Sequence, residues 1–287
     1  MYDDFPGSAF PAANGWNKHT KEVAMSVKCL CVLLAAVLIV PAAAAQISPD
    51  ARLFQNPERD GAVFTGMYLD GQVRYQQWKG NNKSWMIGPT FALTFPDLPQ
   101  LETGARVFMI SYNPRNSSSK TAASDINLWG KYQFLDDPVL LSAGLLFTLP
   151  TGSEKVLHPE STGEINLELF GAARYYVTDM LAVIGNIGLR INSDMNYKVE
   201  EVKTDIKGET QFLIGAGFIV QATPEMDVLA ELNFATEAYR GWENDVELTG
   251  GVQYYFNPDF CGRGGIGVGL DDGAPRFEMI LGVSAFF

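Results

Sequence analysis

From residue 62 onward, segment after segment alternates apolar with polar or small residues at a period of two, which is the pattern of strands with two unlike faces. In 277–287, Phe277, Met279, Leu281, Val283, Ala285 and Phe287 share one face, while Glu278, Gly282 and Ser284 take the other. Ile280 and Phe286 break the rule. The same split recurs over 125–134 and 164–175.

Alternation alone does not separate a soluble sandwich from a membrane barrel, so the joints decide. One set is tight and rich in Pro and Asp: 95–99, 135–138, 178–180, 223–226 and 257–259. The other set is longer and polar, at 113–123, 150–162, 192–208 and 237–243, with shorter members near Asn81 and Asp272. Short turns at one end and long loops at the other belong to outer-membrane barrels, whose short end is periplasmic. Taking the joints as boundaries predicts twelve strands, at 62–78, 84–95, 100–112, 124–135, 139–149, 163–176, 181–192, 209–222, 227–236, 244–256, 260–270 and 275–287. The expected fold class is therefore all-β, a closed antiparallel transmembrane barrel. Closure has a cause: no water in the hydrocarbon can satisfy an open strand edge.

The N-terminus reads as an address. Cys29–Ala45 carries no charge, its apolar run at 30–40 follows Lys28, and Ala43-x-Ala45 offers a small-residue cleavage site. We expect a signal peptide with its true start at Met25, giving an extension and leader at 1–45, a periplasmic segment at 46–61 and the barrel at 62–287. The expected location is the outer membrane of a Gram-negative bacterium, with the lipid bilayer and the barrel-insertion machinery as partners.

Composition narrows function. Acids outnumber bases 33 to 21, and a net charge of −12 argues against nucleic acid as a partner. Two histidines and three cysteines starve metal cages, Ser-His-Asp triads and disulfide frameworks of parts, so no enzyme activity, catalytic residue, metal or cofactor is expected.

In a barrel, Arg or Lys facing lipid at the midplane costs about 2–4 kcal/mol, so the charges of the strands are expected inside. The predicted lumen lining is Asp70, Arg74, Glu102, Arg106, Asp125, Lys131, Glu164, Glu168, Arg174, Arg190, Glu231, Glu247 and Arg263, with Asp227, Asp245 and Glu278. Two readings stand: a structural ion-pair lattice, or a selective channel in which Arg74, Arg106, Arg174 and Arg190 steer a solute. Gly215 with Gly217, and Gly265, Gly267 and Gly269, make inward stripes that leave space or permit bends. Interfacial aromatics are expected at Trp78, Trp85, Tyr112 and Trp242 on the loop side, and at Phe95, Phe134, Tyr175, Tyr254, Phe256, Phe260 and Phe287 on the turn side. Met279, Leu281, Val283, Ala285 and Phe287 match the alternating, Phe-ending strand that outer-membrane barrels present for insertion.

Gly130-Lys131-Tyr132-Gln133-Phe134-Leu135, Pro138 and Gly144 through Ser153, including Leu149-Pro150-Thr151-Gly152, resemble the central motif of a bacterial outer-membrane family named for the meta-pathway of phenol degradation. The resemblance is best over 124–192 and implies a channel for small molecules, aromatic or hydrophobic compounds among them. Pro150 and Gly152 also have a purely structural reading, ending a strand at a loop. The rival functions are a non-transporting surface or binding protein, and an outer-membrane hydrolase using His158 beside Pro159-Glu160-Ser161. The solute, the openness of the lumen, insertion of 46–60 as a plug, and the oligomeric state are left open by the sequence.

Overall fold

The computed structural model describes residues 47–287 except 116, 117, 154, 155, 157, 200 and 201. The proposed leader lies outside the described residues. Sixteen strand segments follow in chain order: β1 Met67–Gln77, β2 Lys83–Phe95, β3 Leu98–Arg106, β4 Met109–Asn113, β5 Lys120–Ala123, β6 Ile126–Leu135, β7 Val139–Leu149, β8 Asn166–Thr178, β9 Leu181–Asn192, β10 Met195–Val199, β11 Val202–Ile206, β12 Thr210–Thr223, β13 Met226–Ala235, β14 Asp245–Asn257, β15 Phe260–Gly269 and β16 Phe277–Phe286. β4 prolongs β3 and β5 prolongs β6 across short interruptions, so these four segments act as two staves. β10 and β11 form a separate hairpin within one loop. The remaining sheet is antiparallel, and β1 pairs with both β16 and β2, closing a barrel of twelve staves.

The two faces obey the lipid argument. Ile87, Leu145, Leu169, Ile187, Leu189, Ile191, Leu281 and Val283 point outward and are exposed. Every charged residue of the barrel strands falls inward except Lys83 and Lys120, at loop-side strand ends. The apolar rows thus meet acyl chains, and no ionised group must be desolvated in them. Trp85, Phe95, Phe134, Tyr175, Tyr254, Phe256, Phe260 and Phe287 sit outward, as expected of interfacial rings. Trp78, Tyr112 and Trp242 do not. Trp78 donates to Ser84 Oγ at 3.0 Å and meets His158 edge-on, Tyr112 packs on an inward cluster with Met86 and Ile110, and Trp242 lines an internal cavity.

β1 begins at Met67, five residues later than the alternation suggested, because Ala62 and Phe64 are buried inside the barrel with the preceding segment. Residues 47–66 form a hairpin-shaped plug. It starts at the turn side, where Ile47 N–H bonds Asp179 O at 3.0 Å, and returns there, with Gly66 carrying a φ of 76° beside Phe287. A Cβ at Gly66 would stand 2.3 Å from Phe287 O, so both its φ and its surroundings require glycine. Buried Arg52 staples the two limbs together. Its guanidinium donates to Pro49 O at 2.6 Å, Ala51 O at 3.0 Å and Ala62 O at 3.3 Å, and lies 4.0 Å over the Phe64 ring.

Plug and wall share two apolar clusters. Ile47, Ala51, Leu53 and Phe54 pack on Ala182, Ile184, Ile219, Leu229 and Ile280, whereas Phe64 joins Tyr68, Ala92, Trp129, Leu146 and Phe170. Ile280, an exception to the alternation, is therefore a seat for the plug.

Candidate functional site: a plugged lumen and its vestibule

No described residue of the plug joins a sheet; side chains of the wall hold it by its backbone. Arg263 donates to Arg52 O and Leu53 O, each at 2.8 Å, and to Tyr68 Oη at 3.0 Å. Arg74 donates to Phe54 O at 3.1 Å and Gln55 Oε1 at 2.8 Å. Lys131 reaches Ala62 O at 2.7 Å and Asp60 O at 3.2 Å, with Glu102 at 3.3 Å. Glu231 Oε1 accepts the N–H groups of Phe54 and Gln55 at 2.8 and 2.9 Å, and Glu102 accepts that of Phe64 at 2.9 Å. Such pairing answers a strict demand, since buried backbone groups and charges left alone are costly.

Side-chain ion pairs complete the hold. Arg174, fully buried, grips Asp60 with Nε–Oδ1 at 2.9 Å and Nη2–Oδ2 at 2.5 Å, and its Nη2 also donates to Ala51 O at 2.5 Å. Glu168 Oε2 is shared by Arg59 Nη2 at 2.8 Å and Arg190 Nη2 at 2.7 Å. Arg106 faces Glu58 at 3.6 Å and donates to Gln55 O at 3.2 Å. Asp70 accepts from Ser284 Oγ at 2.7 Å and lies 3.6 Å from Arg263. Asp227 accepts from the Tyr255 hydroxyl at 3.1 Å.

Glycines shape the wall for this occupant. A Cβ at Gly251 would stand 2.8 Å from the Phe54 ring and one at Gly217 2.7 Å from Leu53 Cδ1. The space left by the inward glycine stripes is filled in part by plug side chains.

On the loop side, the 150–165 loop folds into the mouth. Asp125 clasps it: Oδ1 accepts Gly152 N–H at 2.7 Å, Oδ2 accepts Thr162 N–H at 2.7 Å and its hydroxyl at 2.9 Å, and Gly163 N–H is 3.1 Å from Oδ2. A Cβ on Gly152 would lie 2.6 Å from Asp125 Oδ1, while Thr151 Oγ1 accepts Ile126 N–H at 3.0 Å. Thr151 and Gly152 of the Leu149–Gly152 motif thereby anchor a loop. Val156 packs on Met86, Phe108 and Ile110. His158 accepts Glu160 N–H on Nδ1 at 3.2 Å, so Nε2 carries the proton toward Gln76 Oε1, 3.1 Å away. Burial drives its pKa down to about 4, against the field of Glu160. Burial would raise the Glu160 carboxyl, but Arg106, His158, Arg74 and Arg190 outweigh it and hold it below the usual range. Both ring nitrogens of His158 are thus engaged, neither of them with a serine hydroxyl.

Between this loop, the plug apex and the 236–244 loop lies a vestibule of about 190 Å³. Gln55, Asn56 and Arg59 form its floor. Arg74, Arg106 and Arg190 line it with Asn127, Asn166 and Asn192, and Asp245 and Glu247 line it from β14. Tyr239 and Trp242, with ring centroids 4.9 Å apart, supply its aromatic side.

All but one of the thirteen expected lining residues project into the interior. Glu164 precedes the strand, which starts at Asn166, and accepts from Asn196 in the loop hairpin at 3.4–3.5 Å. Asp125, just before β6, faces inward but spends its oxygens on the loop. What the sequence did not reveal is the contribution of plug residues Arg52, Glu58, Arg59 and Asp60, because charges before the alternation carry no period. Among the described residues, no cluster of three or more His, Cys, Asp or Glu could hold a metal ion.

No family model matches the sequence, and no curated protein matches it. In structure the chain is similar to an outer membrane channel from Pseudomonas putida F1, with a TM-score of 0.63 at 11% identity, over 82% of this chain and 100% of that one. It is also similar to the NanC porin, with a TM-score of 0.53 at 12% identity, over 76% and 100% of the two chains. At these identities the likeness is one of fold.

Proposed function

We propose that the protein is an outer-membrane channel for small molecules, exported by its leader and inserted with β16 as the recognised strand, and that residues 47–65 are its removable gate. The observation that carries the reading is how the plug is bound. Residues 47–65 fill the turn-side lumen without a sheet pairing, and Gly66, whose O accepts Thr94 N–H at 2.9 Å, stays with the wall, so the barrel keeps its hydrogen-bond ladder when the plug leaves. The inward charges then become the lining of a water-filled path. Arg74, Arg106 and Arg174 serve two states in turn, capping plug backbone and carboxylates when closed and facing solute when open, whereas Arg190, paired with Glu168 of the wall, faces the vestibule throughout. The ion-pair lattice and the steering role are thereby successive rather than exclusive.

Membership in the meta-pathway family follows the same reading, supported by the Leu149–Gly152 loop anchor and by the channel folds it resembles. The channel reading is tested by recording the full chain and a variant lacking 47–65 in planar bilayers. The full chain should give rare, small openings and the deletion a steady ohmic conductance. A folded deletion variant that stays silent would overturn the channel and leave a surface-binding protein.

A further inference from the structure

The vestibule has two unlike walls whose polar groups are not used up by the protein. On one side stand guanidiniums. Arg190 places Nε and Nη2 on Glu168, leaving Nη1 without a protein partner among the described residues. Arg106 is 7% exposed, and its Nε has no hydrogen-bond partner. On the other side stand carboxylates without cations. Among the described residues, Asp245 has neither an ion pair within 4 Å nor a side-chain hydrogen bond, and Glu247 has only the Thr249 hydroxyl at 3.4 Å. Gly267 is the reason Glu247 can lie where it does, since a Cβ there would stand 2.1 Å from Glu247 Oε1.

Arg190 on β9 lies three steps from β14 by way of β13 and β12, and Arg106 lies farther round the ring. From β14, which carries Asp245 and Glu247, to β3, which carries Arg106, the path runs β15, β16, β1, β2, β3, five steps around a ring of twelve. A cavity with unspent positive charge on one side and unspent negative charge on the other is complementary to a dipolar solute. A lone anion would leave buried Glu247 and its like-charged neighbour Asp245 without a cation, and a lone cation would leave Arg106 Nε and Arg190 Nη1 unmatched; each omission is costly in a confined site. Glu160 lies among the guanidiniums and lowers their net charge without supplying anything to the β14 wall.

We propose that the vestibule is a binding site for a zwitterionic amino acid, its carboxylate on Arg106 and Arg190, its ammonium on Asp245 and Glu247, and an aromatic or apolar side chain against Tyr239 and Trp242. The inference rests on the channel reading and names the solute class that such a channel would admit.

Three probes of one skeleton test it: L-phenylalanine, 3-phenylpropionate and 2-phenylethylamine, titrated calorimetrically at pH 7 into the detergent-solubilised full chain. Phenylalanine should bind about tenfold or more tightly than either singly charged analogue, the order of one charge-assisted contact. The Asp245→Asn/Glu247→Gln variant, which removes no ion pair, should lose most of the preference for phenylalanine over phenylpropionate. Arg190→Gln should weaken phenylalanine and phenylpropionate together and spare phenylethylamine. Equal affinity for all three probes, tighter binding of either analogue, no binding of any, or an unchanged preference in the β14 variant would overturn the proposal. A conducting plug deletion alongside any of these results would leave the channel standing, whereas a silent deletion with phenylalanine-selective binding would do the reverse.

Discussion

The two halves of the lumen are built from the same alternating staves, yet they treat charge differently. In the turn-side half, Arg174, Arg263, Lys131, Glu102 and Glu231 are saturated by the backbone and carboxylate of the plug. In the loop-side half, Arg190, Asp245 and Glu247 face a cavity. Inward charge is therefore one device put to two uses, decided by whether a chain segment or a space lies opposite. The contrast is one of stability as well: the closed half is held by many buried contacts, the mouth by one carboxylate clasp and a few apolar ones.

The strongest way to break the contrast is to empty the closed half. Asp60→Ala strands Arg174 without its carboxylate, and loss of one partner of a buried pair costs about 3–5 kcal/mol; bilayer recordings should show long openings in a barrel that still runs as folded on gels. Phe54→Ala attacks the same seat through packing, at about 3–5 kcal/mol when no collapse fills the gap, and the opening probability should rise, though less if Gly251 and Gly265 let the wall relax. An Asp60→Ala variant as silent as the parent would show that the plug is not the gate.

In the mouth, Asp125→Ala removes the acceptor of the Gly152 and Thr162 N–H groups. Each buried donor left unsatisfied costs about 1–3 kcal/mol. Amide exchange across 150–165 should accelerate while the strands stay protected. Acid should do the same more weakly. His158 is held neutral to about pH 4 while a released imidazole protonates near 6.5. The loop-closed state therefore loses stability as pH falls from about 6.5 toward 4, by at most about 1.4 kcal/mol per unit, and is unaffected above that window. Protonation of Glu160 on further acidification acts in the same direction. Exchange in the loop that is flat between pH 7 and 4 would reject this account. The smallest effect belongs to the surface: breaking the exposed Lys79–Asp272 pair should change stability by less than about 1 kcal/mol, measured by thermal unfolding, and leave conductance alone.

The barrel was legible in the sequence because lipid enforces a strict rule: each misplaced side chain on an outward face is penalised, so the period of two survives through Ile187, Leu189 and Ile191 without exception. Unequal joints marked out the twelve staves. The interior was legible only as a set of inward charges, because facing inward specifies no partner. Arg263 and Arg74 look like channel linings in one dimension and serve as caps for the carbonyls of Arg52, Leu53 and Phe54 in three. The plug itself left one trace, the inward apolar residues such as Ile280 and Leu146 that interrupt a polar row. Trp78, Tyr112 and Trp242 misled for a related reason: an aromatic near a strand end can turn to either side of the wall, and a folded-in loop offers it a better partner than the lipid interface.

The seam between β1 and β16 brings Met67 and Phe287 into two reciprocal hydrogen bonds of 2.9 Å, directly beside the residue where the plug leaves the lumen. Segments more than two hundred positions apart must therefore meet before the ring is complete, and the hairpin stapled by Arg52 emerges at the point where they do. Biogenesis and gating thus share a doorway. A lesion at Gly66 would be felt first as barrels that fail to finish, long before any current could be recorded through them.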